Sequence, residues 1–178
     1  MRPITLILGG LLLFAAACTG SRSDRSETRS RGSSSLQAAR QDPARLVNEY
    51  VERDANGQRL SPGVAWFDSV VGWREEPGYD TYTVIAGYQT FPSQVVGDTA
   101  SVKVQFNVLG WVKTGTYFTA TPTVQSVTFV LVRRPNGWVI TSPQMNQHVL
   151  AQVALRDSSL SGPGRRVLDS LAKATRRD

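Results

Sequence analysis

From residue 42 onward the apolar positions follow two rhythms. Asp42-Pro43 predicts a helix start, with an N-cap carboxylate and proline at the first helical position. Leu46, Val47, Tyr50 and Val51 then share one helical face, and Gly57 is a suitable stop. Ser61-Pro62 repeats the start signal for a short second helix, with Val64, Phe67 and Val71 aligned and Gly72 ending it. From Tyr79 the period falls to two. Tyr82, Val84, Ala86 and Tyr88 alternate with Thr83, Ile85, Gly87 and Gln89. After a turn at Gly97-Asp98, Val102, Val104, Phe106 and Val108 alternate with Ser101, Lys103, Gln105 and Asn107, the pattern of a strand with one dry and one wetter face.

Val124 to Arg133 is almost continuously apolar, which predicts a strand covered on both faces. Arg134-Pro135-Asn136-Gly137 reads as a turn that returns Trp138-Val139-Ile140 antiparallel. Ser142-Pro143 predicts another helix carrying Met145, Val149, Leu150 and Val153. A last helix starts at Pro163, with Val167, Leu168 and Leu171 on one side. The fold class expected is α+β, with N-terminal helices packed on one face of a curved antiparallel sheet and a helical C-terminal tail. No internal repeat is visible. The chain divides into an export segment (1–17), a linker (18–41), one domain (42–155) and a basic tail (156–178).

The first residues follow neither rhythm. Arg2 precedes an apolar run from Ile4 to Ala17, about 14 residues against the roughly 20 that span a bilayer, as in a signal peptide. The run ends Ala15-Ala16-Ala17-Cys18. That ending resembles the lipobox of bacterial prolipoproteins. The resemblance implies cleavage between Ala17 and Cys18 and a diacylglycerol on the Cys18 sulfur, so that the membrane itself is a partner. Thr19, being other than Asp, implies an outer-membrane destination by the same resemblance. Ala15-x-Ala17 also satisfies the general signal peptidase, which leaves ordinary secretion as the alternative. Thr19 to Gln41 is Ser-, Arg- and Gly-rich and reads as a disordered tether.

The net charge of +6 first suggests a nucleic-acid partner. Its placement argues against one. Between Leu46 and Leu155 there are seven Arg and Lys against eight Asp and Glu, so the excess sits in the two ends. Basic ends beside a membrane anchor fit anionic headgroups better. Cys18 is the only cysteine, so no disulfide forms within the chain.

The domain resembles the nuclear transport factor 2-like fold, also seen in ketosteroid isomerase and SnoaL-like proteins, and in particular bacterial lipoproteins that carry such a domain. The carrying residues are Leu46-Val47-Asn48-Glu49-Tyr50 leading to Gly57-x-x-Leu60, then Asp98-Thr99-Ala100-Ser101-Val102-x-Val104 and Leu109-Gly110. Val127-x-Phe129-x-Leu131 and Gly137-Trp138-x-Ile140 complete the set, over roughly Asp42 to His148. The resemblance implies a cone whose open mouth holds a small ligand, or whose sheet forms a homodimer. Fold does not fix function.

Catalysis in such a cone needs acid–base groups inside it. The weak candidates are His148, the only histidine, and Asp68, flanked by Phe67 and Val71 on the second helix. A buried Asp68 would act as a base in the manner of ketosteroid isomerase. Trp66, Trp111 and Tyr117 are candidate ligand-binding aromatics. No metal set, phosphate loop or cofactor motif is present. The expected function is a non-catalytic envelope lipoprotein binding a small apolar ligand or an envelope protein. The alternatives are an isomerase or dehydratase using Asp68 or His148, and a structural module that assembles on itself.

Overall fold

The computed structural model describes residues 36–61, 65–74, 78, 80–113 and 117–175. The expected export segment, Cys18, most of the expected linker, Pro62 and Val64 of the second helix start, and residues 176–178 lie outside the described residues. The architecture is mixed α+β, built on a strongly curled, mainly antiparallel sheet.

Helix α1 (Pro43–Ala55) starts as the sequence predicts. Asp42 caps it, its carboxylate accepting the Ala44 and Arg45 N–H groups at 2.9 and 3.3 Å. Leu46, Val47, Tyr50 and Val51 are all buried on one face. Gly57, in the left-handed region at φ +78°, turns the chain into a 3-10 segment, Gln58–Leu60. Helix α2 (Ala65–Val70) follows and buries Phe67 and Val70.

The strands are β1 (Thr81–Thr90), β2 (Gln94–Val96), β3 (Thr99–Lys113), β4 (Tyr117–Arg134), β5 (Gly137–Ser142) and β6 (His148–Leu150). The sheet order is β5-β4-β3-β1-β6, with β2 pairing the start of β3. The β3–β4 ribbon runs from Thr99↔Val132 at one end to Lys113↔Tyr117 at the other. The outer side of β5 is occupied by other segments. The Trp138 N–H donates to the Arg40 carbonyl at 2.9 Å, and the Gly72 N–H donates to the Ile140 carbonyl at 2.7 Å beside a Val71↔Ile140 bridge.

Two cores lie on opposite faces. One joins α1 and α2 to Ile85, Val102, Val104, Phe106, Phe129, Leu131, Trp138 and Ile140. The other joins Tyr82, Val84, Leu109, Val112 and Val149 to α3 (Ala151–Ala154) and α4 (Gly162–Ala174). The N-terminal helices thus cover one face as expected, while α3 and α4 cover part of the other. In α4 the buried residues are Gly164, Leu168 and Ala172, whereas Val167, expected inside, is 46% exposed. Residues 36–39 form a helical turn with Ala39 fully buried, so the end of the expected tether belongs to the fold.

Three local expectations are corrected. The alternation along β1 breaks at register shifts around Ile85, so Tyr82, Val84 and Ala86 pack in one core while Tyr88, expected with them, joins Ile85 in the other. β4 is not covered on both faces: Phe129 and Leu131 are buried but Val124 is 58% exposed, because α4 stops short of it. Ser142-Pro143, a cis peptide, caps no helix; irregular chain leads to β6, which pairs parallel with β1 through Thr83↔His148 and Val84↔Val149. β2 had no clear sequence signal, because three residues are too few to establish a period.

Candidate functional site

A buried polar cluster lies where α1 ends against β6. Asp54 is in the last turn of α1 and only 1% exposed. The turn at Gly57 brings Arg59 back beneath it, and the Arg59 Nη1 lies 3.3 Å from Asp54 Oδ2, both side chains almost wholly buried. The guanidinium also donates to the Met145 carbonyl at 3.0 Å and lies over the rings of Tyr50 and Phe67, 5.5 and 5.9 Å from their centroids. Asp54 Oδ2 accepts the backbone N–H of His148 at 2.9 Å. A buried ion pair persists only with such further bonds, because each charge has lost its hydration.

His148 is 1% exposed and its ring is tilted 32° on Phe106, with centroids 4.3 Å apart. Its Nδ1 lies 3.0 Å from the Asn146 carbonyl, which only an N–H can satisfy, so Nδ1 carries the proton. Nε2 is then an acceptor, 3.3 Å from the Gln125 amide end, which pairs with it when the NH2 is turned towards the ring. Burial pushes the His148 pKa down to about 4; the Asn146 carbonyl opposes this and the Arg59 charge adds to it. The imidazole is therefore neutral at pH 7, with both nitrogens occupied. This is a structural lock joining α1, β1, β4 and β6. The Asn146 amide extends it by donating to Thr83 Oγ1 at 3.0 Å.

The other sequence candidates are dispersed. Asp68 is exposed on α2, not buried as a base would need to be. Trp66 is half-buried, edge-on to Phe67 at 5.2 Å and under the Arg53 guanidinium at 4.4 Å, so it packs α2 against α1. Trp111 and Tyr117 do share a face of the β3–β4 ribbon, through Trp111↔Thr119 and Lys113↔Tyr117. They are 37% and 66% exposed. Trp111 also falls in one cross-strand row with Thr83 and His148.

Sequence reasoning missed Asp54 and Arg59. A signal existed. Asp54 continues the buried stripe of Val47, Tyr50 and Val51, and it stands at the helix C-terminus, where a carboxylate is disfavoured by the helix dipole. A carboxylate on an apolar face at the wrong end of a helix needs a cation, and Arg59 is five residues away.

The sheet interior on the α1 side is filled by Tyr50, Phe106, Phe129 and Leu131. On the other face, where α4 leaves the sheet, there is an open cleft of about 380 Å³ lined by Leu109, Pro122, Val124, Leu171, Ala174 and Thr175 among others. Among the described residues no group of three or more His, Cys, Asp or Glu could hold a metal ion, and no helix is long and apolar enough to cross a membrane. Compared with protein-family models, curated proteins and solved structures, the chain matches none of them.

Proposed function

We propose that the chain is a binding module of the cell envelope, exported by residues 1–17 and held on the outer membrane by lipid on Cys18. Its cone-like, nuclear transport factor 2-like domain takes a small apolar ligand and does not transform it. The observation that carries this reading is the cleft beneath the end of α4. Its volume of about 380 Å³ is in the range of small-molecule sites, and Val124, 58% exposed on a strand, stands in its wall. The groups that would do chemistry are committed elsewhere: Asp54 to Arg59, and His148 to Asn146 and Gln125. Asp68, in water on α2, gives the isomerase alternative no support.

Native mass spectrometry of the protein extracted from its own membranes tests both halves. The expected species begins at Cys18, carries acyl groups, and holds an apolar adduct that Val124→Asp removes. An unmodified chain in the aqueous envelope fraction overturns the tether. An acylated chain without adduct, which also fails to bind a fluorescent fatty acid, overturns the ligand.

A further inference from the structure

Three features meet at one end of the sheet. The β2–β3 hairpin turns at Gly97-Asp98, and Val95 and Val96 beside that turn are 48% and 81% exposed. The β4–β5 turn is adjacent: Thr99 pairs with Val132, and the Arg133 N–H donates to the Asp98 carbonyl at 2.8 Å. Arg133 and Arg134, at the start of that turn, are both exposed. The preceding chain joins the fold at the same end. The Arg40 carbonyl accepts the Trp138 N–H there, and Arg40 lies so close to Gly137 that an added Cβ would sit 2.6 Å from its carbonyl oxygen.

We propose that this end is a membrane-docking surface, whose valine tip enters the headgroup layer of an anionic bilayer while Arg133 and Arg134 meet the phosphates. The inference rests on the reading that Cys18 carries lipid. Val95 pairs with buried Ala100 and Val96 with exposed Thr99, so the two valines face opposite sides of the ribbon. An apolar tip exposed on both sides suits a medium that surrounds it, whereas a protein partner seated on one side would leave the other valine in water. The charge is of the right sign. Arg133 lies over the Trp138 ring at 4.6 Å and has a long 3.8 Å pair with Asp98, whose own side chain is 83% exposed, so Arg133 and Arg134 leave these two turns one positive charge in excess. Asp42, two residues after Arg40, is held as the cap of α1. Arg22, Arg25, Arg29 and Arg31 lie in the stretch between Cys18 and this end. A lipid on Cys18 would keep this end near the bilayer, so the docking affinity itself need only be weak.

The test uses the full acylated chain reconstituted through its own lipid into vesicles of phosphatidylethanolamine and phosphatidylglycerol. A polarity-sensitive fluorophore is attached at Val96→Cys, or at Tyr117→Cys as the far-end control; the acylated Cys18 sulfur does not compete for the label. The expected result is blue-shifted emission from position 96 that nitroxide-bearing lipids quench, with neither effect at position 117. Arg133→Gln and Arg134→Gln each weaken docking about fivefold on anionic vesicles and leave it unchanged on phosphatidylcholine. If the protein floats with the vesicles but position 96 is not quenched, docking is overturned and the tether stands. A blue shift without quenching means that a protein covers the tip, which also overturns it. A chain that does not float has no lipid, and then both readings fail.

Discussion

Lowering the pH from 7.5 to 5 should destabilise this protein through one residue. His148 is the only histidine, so its titration is not mixed with that of another imidazole. In the unfolded chain it protonates near its ordinary value of 6.5, while in the fold burial holds it down to about 4. Between those values the unfolded state binds the proton and the native state does not, so stability rises with pH. The contribution is fully present above pH 6.5 and is lost progressively as pH falls towards 4. The whole shift corresponds to about 3 kcal/mol, and about 2 kcal/mol of that is gone by pH 5. Against a total stability of roughly 5–15 kcal/mol this is a large share. Urea unfolding followed by tryptophan fluorescence at several pH values measures it, with His148→Gln as the reference. The variant is less stable at pH 7.5, since it loses the stack on Phe106, but its stability falls about 2 kcal/mol less between pH 7.5 and 5. Carboxylate titration affects both proteins alike. Equal slopes in that interval would refute the claim that a neutral buried imidazole locks β6 in place.

Two further outcomes follow from the same end of α1 and from β5. Asp54→Ala strands the buried Arg59 charge and the His148 N–H, and should cost about 3–5 kcal/mol in urea unfolding. Asp54→Leu combined with Arg59→Met should recover most of that, because no charge is then left unpaired; a double variant as weak as the single one would count against the pairing. Gly137→Ala meets both a φ of +107° and the Arg40 carbonyl, and should cost about 1–3 kcal/mol with faster amide exchange at Trp138. Unchanged exchange there would mean that Arg40 does not hold β5.

The elements whose signals are local were legible in the sequence. Asp42-Pro43 capped α1 as read, the alternation from Val102 to Val108 gave the buried row of β3, and Arg134 to Gly137 gave the β4–β5 turn. What could not be read depends on distant chain. The segment after Ser142 has a helix's apolar spacing, but β1 has an unfilled edge, and pairing with it buries Val149 and half-buries Leu150, which an isolated helix would not do. The apolar run in β4 looked doubly covered because hydrophobicity alone does not say where a helix ends. The candidate aromatics were of the right type but in different places: Trp111 and Tyr117 share a ribbon face, while Trp66 packs α2 on α1. The Asp54–Arg59 pair was legible only in part: a carboxylate on the buried stripe of α1 calls for a cation, but charges at short spacing are usually solvated, and packing decides which are not.

The occupied flank of β5 has a consequence for crowding. A bare strand margin is a template on which a second chain can lay down hydrogen bonds and start a fibril. Here Arg40 and Gly72 already use the groups at Trp138 and Ile140. A neighbouring copy could add there only after the chain on either side of the helical layer had peeled away. Molecules at high concentration can therefore collide along this flank without polymerising.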